Sequence, residues 1–195
     1  MAAGIVGLLL AGGRARRFGA DKLLHPLPGG QPIVLASLNR LEQAGVDRCL
    51  VLVAPRRPLL MRALEESGAR LQICDEAPQG MGQTLACGVR ATCDAAGWVV
   101  ALADMPFVQV STIARVVERL RAGAAIVAPR YRGRRGHPVG FSAAFGDALA
   151  ALYGDVGARQ VLESNAERLE YVDVDDAGIL RDVDTREDLE AALRD

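Results

Sequence analysis

Aromatic residues are scarce in this 195-residue chain, and neither sign of charge is in clear excess. Phe, Trp and Tyr make up 4% of it, too few to build a surface on which single-stranded bases stack. The 23 Lys and Arg residues are balanced by 24 Asp and Glu residues, so the net charge is −1. A general nucleic-acid binder needs a basic excess to displace counterions from phosphates. We therefore expect no nucleic-acid partner.

Long hydrophobic runs are absent as well. The apolar run near the N-terminus covers residues 5–11 and is interrupted by Gly7. A membrane-spanning helix needs about 20 apolar residues, so we expect none and no membrane partner. No basic segment precedes the run and no small-residue cleavage site follows it, which argues against a signal peptide. We expect the protein to be cytoplasmic.

Cysteine and histidine residues are few, and their spacing does not suggest a disulfide or a zinc site. The cysteines are Cys49, Cys74, Cys87 and Cys93. They show no C-x-x-C spacing and mostly lie among apolar residues, so we expect buried, reduced thiols rather than a disulfide. Only two histidines, His25 and His137, accompany them, which leaves too few soft ligands for a zinc site.

What remains is the composition of an ordinary globular protein. Hydrophobic residues make up 50% of the chain and charged residues 24%, which excludes disorder and collagen-like structure. A chain of this length can bury about 70% of its surface in one core. We therefore predict a single domain over residues 1–195.

Strand-like apolar runs alternate with segments of helical periodicity. The expected strands occupy residues 5–11, 49–54, 71–74, 98–103, 124–128, 137–142 and 169–174. The expected helices occupy residues 33–44, 58–68 and 84–92, a segment capped by Ser111, and a segment that begins at Thr185 with Asp188 as capping-box partner. This order predicts an α/β, Rossmann-like three-layer sandwich with a mostly parallel sheet and ligands at the carboxyl ends of its strands.

The loop after the first strand combines paired glycines with four cations. It reads LAGGRARRFGADK over residues 10–22, and its cations are Arg14, Arg16, Arg17 and Lys22. Paired glycines let main-chain N–H groups approach an anion, and the cations add positive charge beside them. The spacing fits neither G-x-G-x-x-G nor G-x-x-x-x-G-K-[ST]. The pattern indicates an anion-binding loop, and a solvated surface loop is the alternative.

One acidic residue, Asp104, directly follows the buried strand at residues 98–103. An unpaired carboxylate is costly to bury, so its presence there needs a reason. A hard oxygen ligand for Mg²⁺ is the natural use. The alternative is a helix cap before Pro106.

These motifs resemble those of the MobA/MocA-like NTP transferases, the molybdenum cofactor cytidylyltransferase and guanylyltransferase family of the nucleotide-diphospho-sugar transferase fold. Residues 10–22 resemble its signature L-A-G-G-x-S-x-R-[MF]-G-x-D-K, with Ala15 where the family usually has Ser. Further similar segments are residues 80–89 (G-M-G-x-S-L-x-x-G-V), 102–106 (L-x-D-M-P), 134–141 (G-x-R-G-H-P-V-x-F), 152–159 (L-x-G-D-x-G-A-R) and 182–189 (D-[IV]-D-T-x-E-D-L). The similarity covers nearly the whole chain.

The resemblance implies roles for individual residues. The implied catalytic residues are Arg17, Lys22 and Asp104. The implied nucleotide-binding residues are Leu10, Ala11, Gly12, Gly13, Lys22, Gly80, Gly82 and Thr84. The implied Mg²⁺ ligands are Asp104 and Asp184, with Asp182 as the alternative to Asp184 and a helix cap as the alternative role of Asp184. The implied acceptor-binding residues are Arg135, His137 and Arg159, although His137 could instead simply pack before Pro138.

The implied reaction is transfer of a nucleoside monophosphate from a nucleoside triphosphate to the phosphate of molybdopterin or its molybdenum form, with release of pyrophosphate. The later segments favour CTP, whereas the L-A-G-G start resembles the guanylyl branch and leaves GTP open. A nucleotidyltransferase for a sugar or polyol phosphate is a second alternative. A non-catalytic protein that carries the cofactor to a molybdenum hydroxylase is a third, and such a hydroxylase is one candidate partner.

Overall fold

The first strand is apolar on both faces, and it lies in the interior of the sheet. All residues of β1 (Ile5–Ala11) are buried. Successive side chains enter two different hydrophobic clusters, with Ile5 and Leu9 in one and Val6 and Leu8 in the other. Burial on both faces is typical of a parallel strand that helices cover on each side.

The computed structural model describes residues 4–13 and 21–192 and places the strands in one eight-stranded sheet. The strands are β1 (Ile5–Ala11), β2 (Arg48–Val53), β3 (Leu71–Ile73), β4 (Gly97–Leu102), β5 (Ile126–Tyr131), β6 (Arg134–Arg135), β7 (Val139–Ser142) and β8 (Leu169–Asp173). Their order is β3-β2-β1-β4-β7-β5-β6, and β8 pairs with the other edge of β5. Only the pairs formed by β7 and β6 are antiparallel. The predicted mostly parallel sheet is confirmed.

Helices cover both faces of this sheet. They are α1 (Ile33–Gln43), α2 (Pro58–Glu66), α3 (Met81–Ala91), α4 (Val110–Arg121), α5 (Gly146–Ala150), α6 (Arg159–Glu163) and α7 (Arg186–Ala192). Helices α1, α2 and α4 pack into the cluster that contains Ile5, and helices α3, α5 and α6 pack into the cluster that contains Val6. The predicted three-layer α/β domain is confirmed. Within the described ranges, no helix combines the length and the hydrophobicity needed to cross a membrane.

The ends of two helices show how well local capping signals predict structure. The capping box of α7 is confirmed: the Asp188 carboxylate accepts from Thr185 N at 2.7 Å, and Asp188 N donates to Thr185 Oγ1 at 3.1 Å. The predicted Ser111 cap is wrong, because α4 begins at Val110 after Gln109. A residue distant in sequence does the capping: Asp176 accepts from Gln109 N at 2.8 Å.

The expectation of four reduced, buried thiols is also wrong. Cys74, just after β3, is bonded through a disulfide to Cys87 on α3, with 5.9 Å between their Cα atoms. Of the two free cysteines, Cys93 is exposed and Cys49 is partly buried. A separation of 13 residues in the sequence does not by itself predict a disulfide. The pair is adjacent only because α3 packs on this end of the sheet.

Candidate functional site

The candidate site is a cleft at the carboxyl edge of the sheet, where β1 and β4 end side by side. Its volume is about 350 Å³. The predicted site residues that line it are Leu10, Ala11, Gly12, Gly13, Lys22, Gly80, Thr84, Asp104 and Asp184. Parallel strands bring their carboxyl ends to one edge, so the loops after β1 and β4 converge there although they are far apart in sequence.

The Lys22 side chain lies between two carboxylates in this cleft. Its Nζ donates to Asp104 Oδ2 at 2.8 Å and to Asp184 Oδ1 at 2.6 Å. The Lys22 side chain is only 11% exposed, Asp104 is 25% exposed and Asp184 is 50% exposed. The structure therefore joins three predicted site residues that are up to 162 positions apart in sequence.

Burial and hydrogen bonding act in opposite directions on Lys22. Burial lowers the pKa of the ammonium, but the hydrogen bonds to Asp104 and Asp184 and their negative charges raise it more, so the pKa lies above its ordinary value of 10.5. Lys22 is therefore charged under all physiological conditions. It is also the only lysine of the chain, since all other cations are arginines. That feature is a sequence signal that the motif comparison did not use.

A short helical turn fixes the position of Lys22. Residues Lys22–Leu24 form a single turn of 3-10 helix whose first residue is Lys22. The Asp21 carboxylate caps this turn by accepting from Leu23 N at 3.3 Å. The Leu23 side chain is buried in the hydrophobic core, which anchors the turn to the sheet.

Asp184 reaches the cleft because it does not cap a helix. The cap of α7 is supplied by Thr185 and Asp188, which leaves the Asp184 side chain to bind Lys22. Its neighbour Asp182 has no hydrogen bond to Lys22. Partial burial, together with the negative charges of Asp184 and Asp104, raises the pKa of Asp182 above its usual value. This arrangement favours Asp184 over Asp182 as the carboxylate of the cleft.

The donor set fits a divalent cation. Mg²⁺ prefers oxygen ligands and is commonly bound by one or two carboxylates together with substrate phosphates and waters. Asp104 and Asp184 supply two carboxylates at one point of the cleft. In the part of the chain that the structure describes, no group of three or more His, Cys, Asp or Glu side chains could hold a metal by itself. A cation bound here would need phosphate or water oxygens to complete its coordination.

The glycine pair at the end of β1 forms one wall of the cleft. A Cβ on Gly12 would lie 2.8 Å from Thr84 Oγ1, so the residue must be small for α3 to pack against β1. Gly13 has open space around it. Thr84 itself is 2% exposed and donates its hydroxyl to the Gly80 carbonyl at 3.2 Å. Arg17 lies outside the described residues.

The first turn of α3 is already capped by another part of the chain. Gly82 N donates to the Gly154 carbonyl at 2.8 Å, and Met81 N donates to Asp155 Oδ1 at 3.2 Å. A Cβ on Gly80 would lie 2.3 Å from Gly154 O. Gly80 borders the cleft, whereas Gly82 lies against Gly154 and does not line it. Asp155 also lines the cleft, a position that no motif in the sequence predicts for this residue.

A second cavity of about 160 Å³ adjoins the first and shares Leu10, Met81 and Leu102 with it. The three residues predicted to bind the acceptor, Arg135, His137 and Arg159, all line this second cavity. Most of its other lining residues are apolar. Arg159 also forms an ion pair with Glu163 at 2.7 Å on the surface.

His137 lies in an environment that disfavours its charged form. Burial and the positive charge of Arg135 lower the pKa of His137 below its ordinary value of 6.5. Its Nδ1 atom is buried and has no hydrogen-bond partner among the described residues. A neutral imidazole with a free polar atom can accept or donate one hydrogen bond to a ligand.

Known proteins are similar to this chain over most of its length. It is 30% identical to the purine catabolism protein PucB of Bacillus subtilis, over 97% of this chain and 96% of that protein. It is 30% identical to the nicotine blue oxidoreductase of Paenarthrobacter nicotinovorans, over 95% and 94% of the two chains. It is 29% identical to a probable molybdenum cofactor guanylyltransferase of Thermococcus gammatolerans, over 74% and 73%.

Solved structures and a family model agree with these relatives. The crystal structure of Rv0371c from Mycobacterium tuberculosis H37Rv superposes with a TM-score of 0.86 and 28% identity over 100% of both chains. A manganese complex of Rv0371c gives a TM-score of 0.84 at 26% identity, again over 100% of both chains. The family model described as MobA-like NTP transferase domain matches residues 7–170. The chain therefore belongs to the family of MobA-like NTP transferase domains.

Proposed function

We propose that this protein transfers a nucleoside monophosphate, favouring CTP as donor, to the terminal phosphate of molybdopterin or its molybdenum form. The observation that carries the proposal is the Lys22 ammonium held between Asp104 and Asp184 on the floor of a glycine-lined cleft. A cation beside two carboxylates suits a triphosphate and a divalent metal, because each charge of the substrate complex then has a partner.

The reaction is a displacement at the α-phosphorus. An oxygen of the acceptor phosphate forms a bond to this phosphorus, while the bond from it to the bridging oxygen of the β-phosphate breaks. Pyrophosphate leaves with the electron pair of that bond. Protein assistance to phosphoryl-type transfer is mainly positioning and charge stabilisation, so no covalent nucleophile is needed.

Each residue of the cleft has its own role in the proposed reaction. Lys22 neutralises phosphate oxygens, the main chain of Gly12 and Gly13 lies along the triphosphate, and Arg17 adds a second positive charge. Asp104 and Asp184 would hold a divalent metal, Mg²⁺ or Mn²⁺, and manganese is the ion of the Rv0371c complex. When bound, the metal supplies charge stabilisation on the phosphates. With a metal held by Asp104 and Asp184, the Lys22 ammonium would be available to pair with phosphate oxygens.

The second cavity suits the acceptor. It adjoins the cleft and is lined by Arg135 and Arg159, whose positive charges suit a phosphate, and by His137. Its apolar lining suits a flat ring system. Because the two cavities share lining residues, donor and acceptor would meet at their junction.

Pyrophosphate release measured with CTP and with GTP tests the proposal, each with molybdopterin and either Mg²⁺ or Mn²⁺. Turnover with CTP alone supports the cytidylyl assignment, and turnover with GTP alone transfers the assignment to the guanylyl branch. Turnover only with a sugar or polyol phosphate would replace the acceptor. Nucleotide binding without turnover on any of these acceptors would contradict the enzymatic proposal and favour a carrier protein.

A further inference from the structure

Arg57 links the two sides of the nucleotide cleft without lining it. It precedes α2, and its side chain is 15% exposed. Its Nη1 donates to the Ala11 carbonyl at 3.1 Å and to the Gly13 carbonyl at 2.9 Å. Its Nη2 donates to Asp21 Oδ1. The guanidinium group therefore connects the end of β1 to the residue that precedes Lys22.

The partner of Arg57 has a second task. The same Asp21 oxygen that binds Arg57 also caps the helical turn that begins with Lys22, through Leu23 N at 3.3 Å. Gly13 and Lys22 both line the cleft, whereas Arg57 borders a separate surface depression. Arg57 thus binds the main chain of two cleft-lining residues, Ala11 and Gly13, and the carboxylate that caps the Lys22 turn, although its own side chain does not line the cleft.

Arginine is the side chain suited to this position. Its planar guanidinium presents five donors in a fixed arrangement, so one group can bind two carbonyls and a carboxylate at once. A lysine ammonium at the end of a flexible chain cannot hold three separated acceptors in the same plane. The bonds fix the separation of Gly13 and Asp21, which are the described residues on either side of residues 14–20.

We infer that Arg57 is a positioning residue for the nucleoside triphosphate. It sets the distance between the Gly12–Gly13 main chain and the Lys22 ammonium, and this role depends on the proposed function of the cleft. The acceptor cavity is lined by other residues, so the influence of Arg57 is confined to the donor nucleotide. Misplacement of a binding group by about 1 Å is sufficient to reduce a rate by as much as about 100-fold.

The test compares Arg57→Ala with Arg62→Ala. Arg62 lies on the exposed side of α2 and forms an ion pair with Glu66, so its replacement controls for the loss of one arginine from the same segment. Calorimetric titration with CTP or GTP in Mg²⁺ gives nucleotide affinity, and pyrophosphate release gives the KM of each substrate. We expect Arg57→Ala to raise the nucleotide Kd and KM by about 10-fold or more and to leave the acceptor KM within about twofold. Arg62→Ala should match the wild type.

Arg57→Lys keeps the positive charge but removes the planar guanidinium group. This variant tests the positioning role if Arg57→Ala does not fold. We expect it to raise the nucleotide Kd by at least about threefold. Nucleotide affinity equal to that of the wild type in the folded Arg57 variants would overturn the role of Arg57 alone, as would an equal rise of both KM values. A wild-type protein that binds neither nucleotide would overturn the proposed function, and this role with it.

Discussion

At the scale of single residues, the site depends on one lysine among many arginines. Lysine presents a compact, strongly hydrated point charge, whereas arginine presents a wide planar fork. A compact ammonium can bind Asp104 and Asp184 at 2.8 and 2.6 Å and still turn toward a phosphate. The surface ion pairs of the chain use arginine instead, as in Arg130–Asp173.

Because Lys22 is the only lysine, its ionisation can be measured directly. Protein labelled with ¹³C at lysine Cε and ¹⁵N at lysine Nζ should give one lysine side-chain resonance, and the label leaves the three N–H donors of the ammonium intact. We expect its pH titration to give a pKa above 10.5, since hydrogen bonds to two carboxylates stabilise the ammonium. Asp104→Asn should lower this pKa. A value below 10.5 in the wild type would mean that burial dominates and that the carboxylates do not hold the ammonium.

The lowered pKa of the buried His137 predicts that the protein becomes less stable as the pH falls. Its folded-state pKa lies below 6.5, so the unfolded state binds more protons between those two values. The contribution of His137 is fully present above pH 6.5 and is lost as the pH falls through the folded pKa. Urea unfolding of the wild type and His137→Gln between pH 7.5 and 5 should show the steeper loss in the wild type. Parallel curves would show that His137 does not titrate abnormally.

At the scale of elements, residues 153–157 cover the start of α3 and help to hold the site in place. Gly80 has φ +143° and ψ 172°, a conformation that is essentially restricted to glycine, and its Cα faces the Gly154 carbonyl. The contact holds residues 153–157 over α3, where Asp155 borders the cleft. The segment held by this contact borders both cavities, since Asp155 lines the cleft and Val156 and Gly157 line the second cavity.

Gly80→Ala should be far more damaging than an alanine at another glycine with positive φ. Gly29 has φ +99° and open space where a Cβ would be, so Gly29→Ala adds backbone strain alone. We expect a loss of about 1 kcal/mol for Gly29→Ala and about 3 kcal/mol or more for Gly80→Ala, because the new methyl group also collides with backbone. The free energies of unfolding from urea titration provide the comparison. Equal losses would show that the Gly154 contact is not tight.

Regular elements were more predictable than contacts between them. β1 follows from an apolar run interrupted only by Gly7, and α1 follows from the spacing of Val34, Leu38 and Leu41. The cap of α4 did not follow, because Asp176 reaches Gln109 only in the folded chain. The Cys74–Cys87 bond was missed for the same reason, and β6, two exposed arginines, has no hydrophobic signal.

The candidate site shows the same contrast between local motifs, which the sequence predicts, and long-range contacts, which it does not. Lys22, Asp104 and Asp184 could be found because each follows from a local motif, and the sheet then brings them together. Arg57 had no motif, since its function depends on carbonyls 44 and 46 positions away. The resemblance implies that Gly80 and Gly82 bind the nucleotide, but the Gly154 carbonyl and the Asp155 carboxylate already accept from two N–H groups of that turn.

At the scale of the whole molecule, the sheet edge brings the cleft and the second cavity together. The cavities of about 350 and 160 Å³ share Leu10 and Leu102, at or next to the carboxyl ends of β1 and β4. In the proposed reaction, the two substrates would meet at this junction. The parallel core positions the strand ends, and the loops after the strands supply the side chains that would bind the substrates.

Nucleotide with metal should stabilise this whole domain against heat. Ligand at 100 times its Kd adds about 2.7 kcal/mol, and for a chain of this size that shifts Tm by roughly 5–10 °C. We expect this shift with CTP and Mg²⁺ together and a much smaller one with either alone, because Asp104 and Asp184 need the metal to face a triphosphate. An equal shift for Lys22→Ala would place the nucleotide elsewhere on the molecule.

The most direct test of the central claim is pyrophosphate release by wild type, Lys22→Ala and Arg62→Ala with CTP or GTP, Mg²⁺ and molybdopterin. We predict turnover in the wild type and in Arg62→Ala, and a loss of about 100-fold or more in Lys22→Ala with an unchanged circular dichroism spectrum. Wild-type turnover in folded Lys22→Ala would contradict the claim that the ammonium between Asp104 and Asp184 is the centre of catalysis.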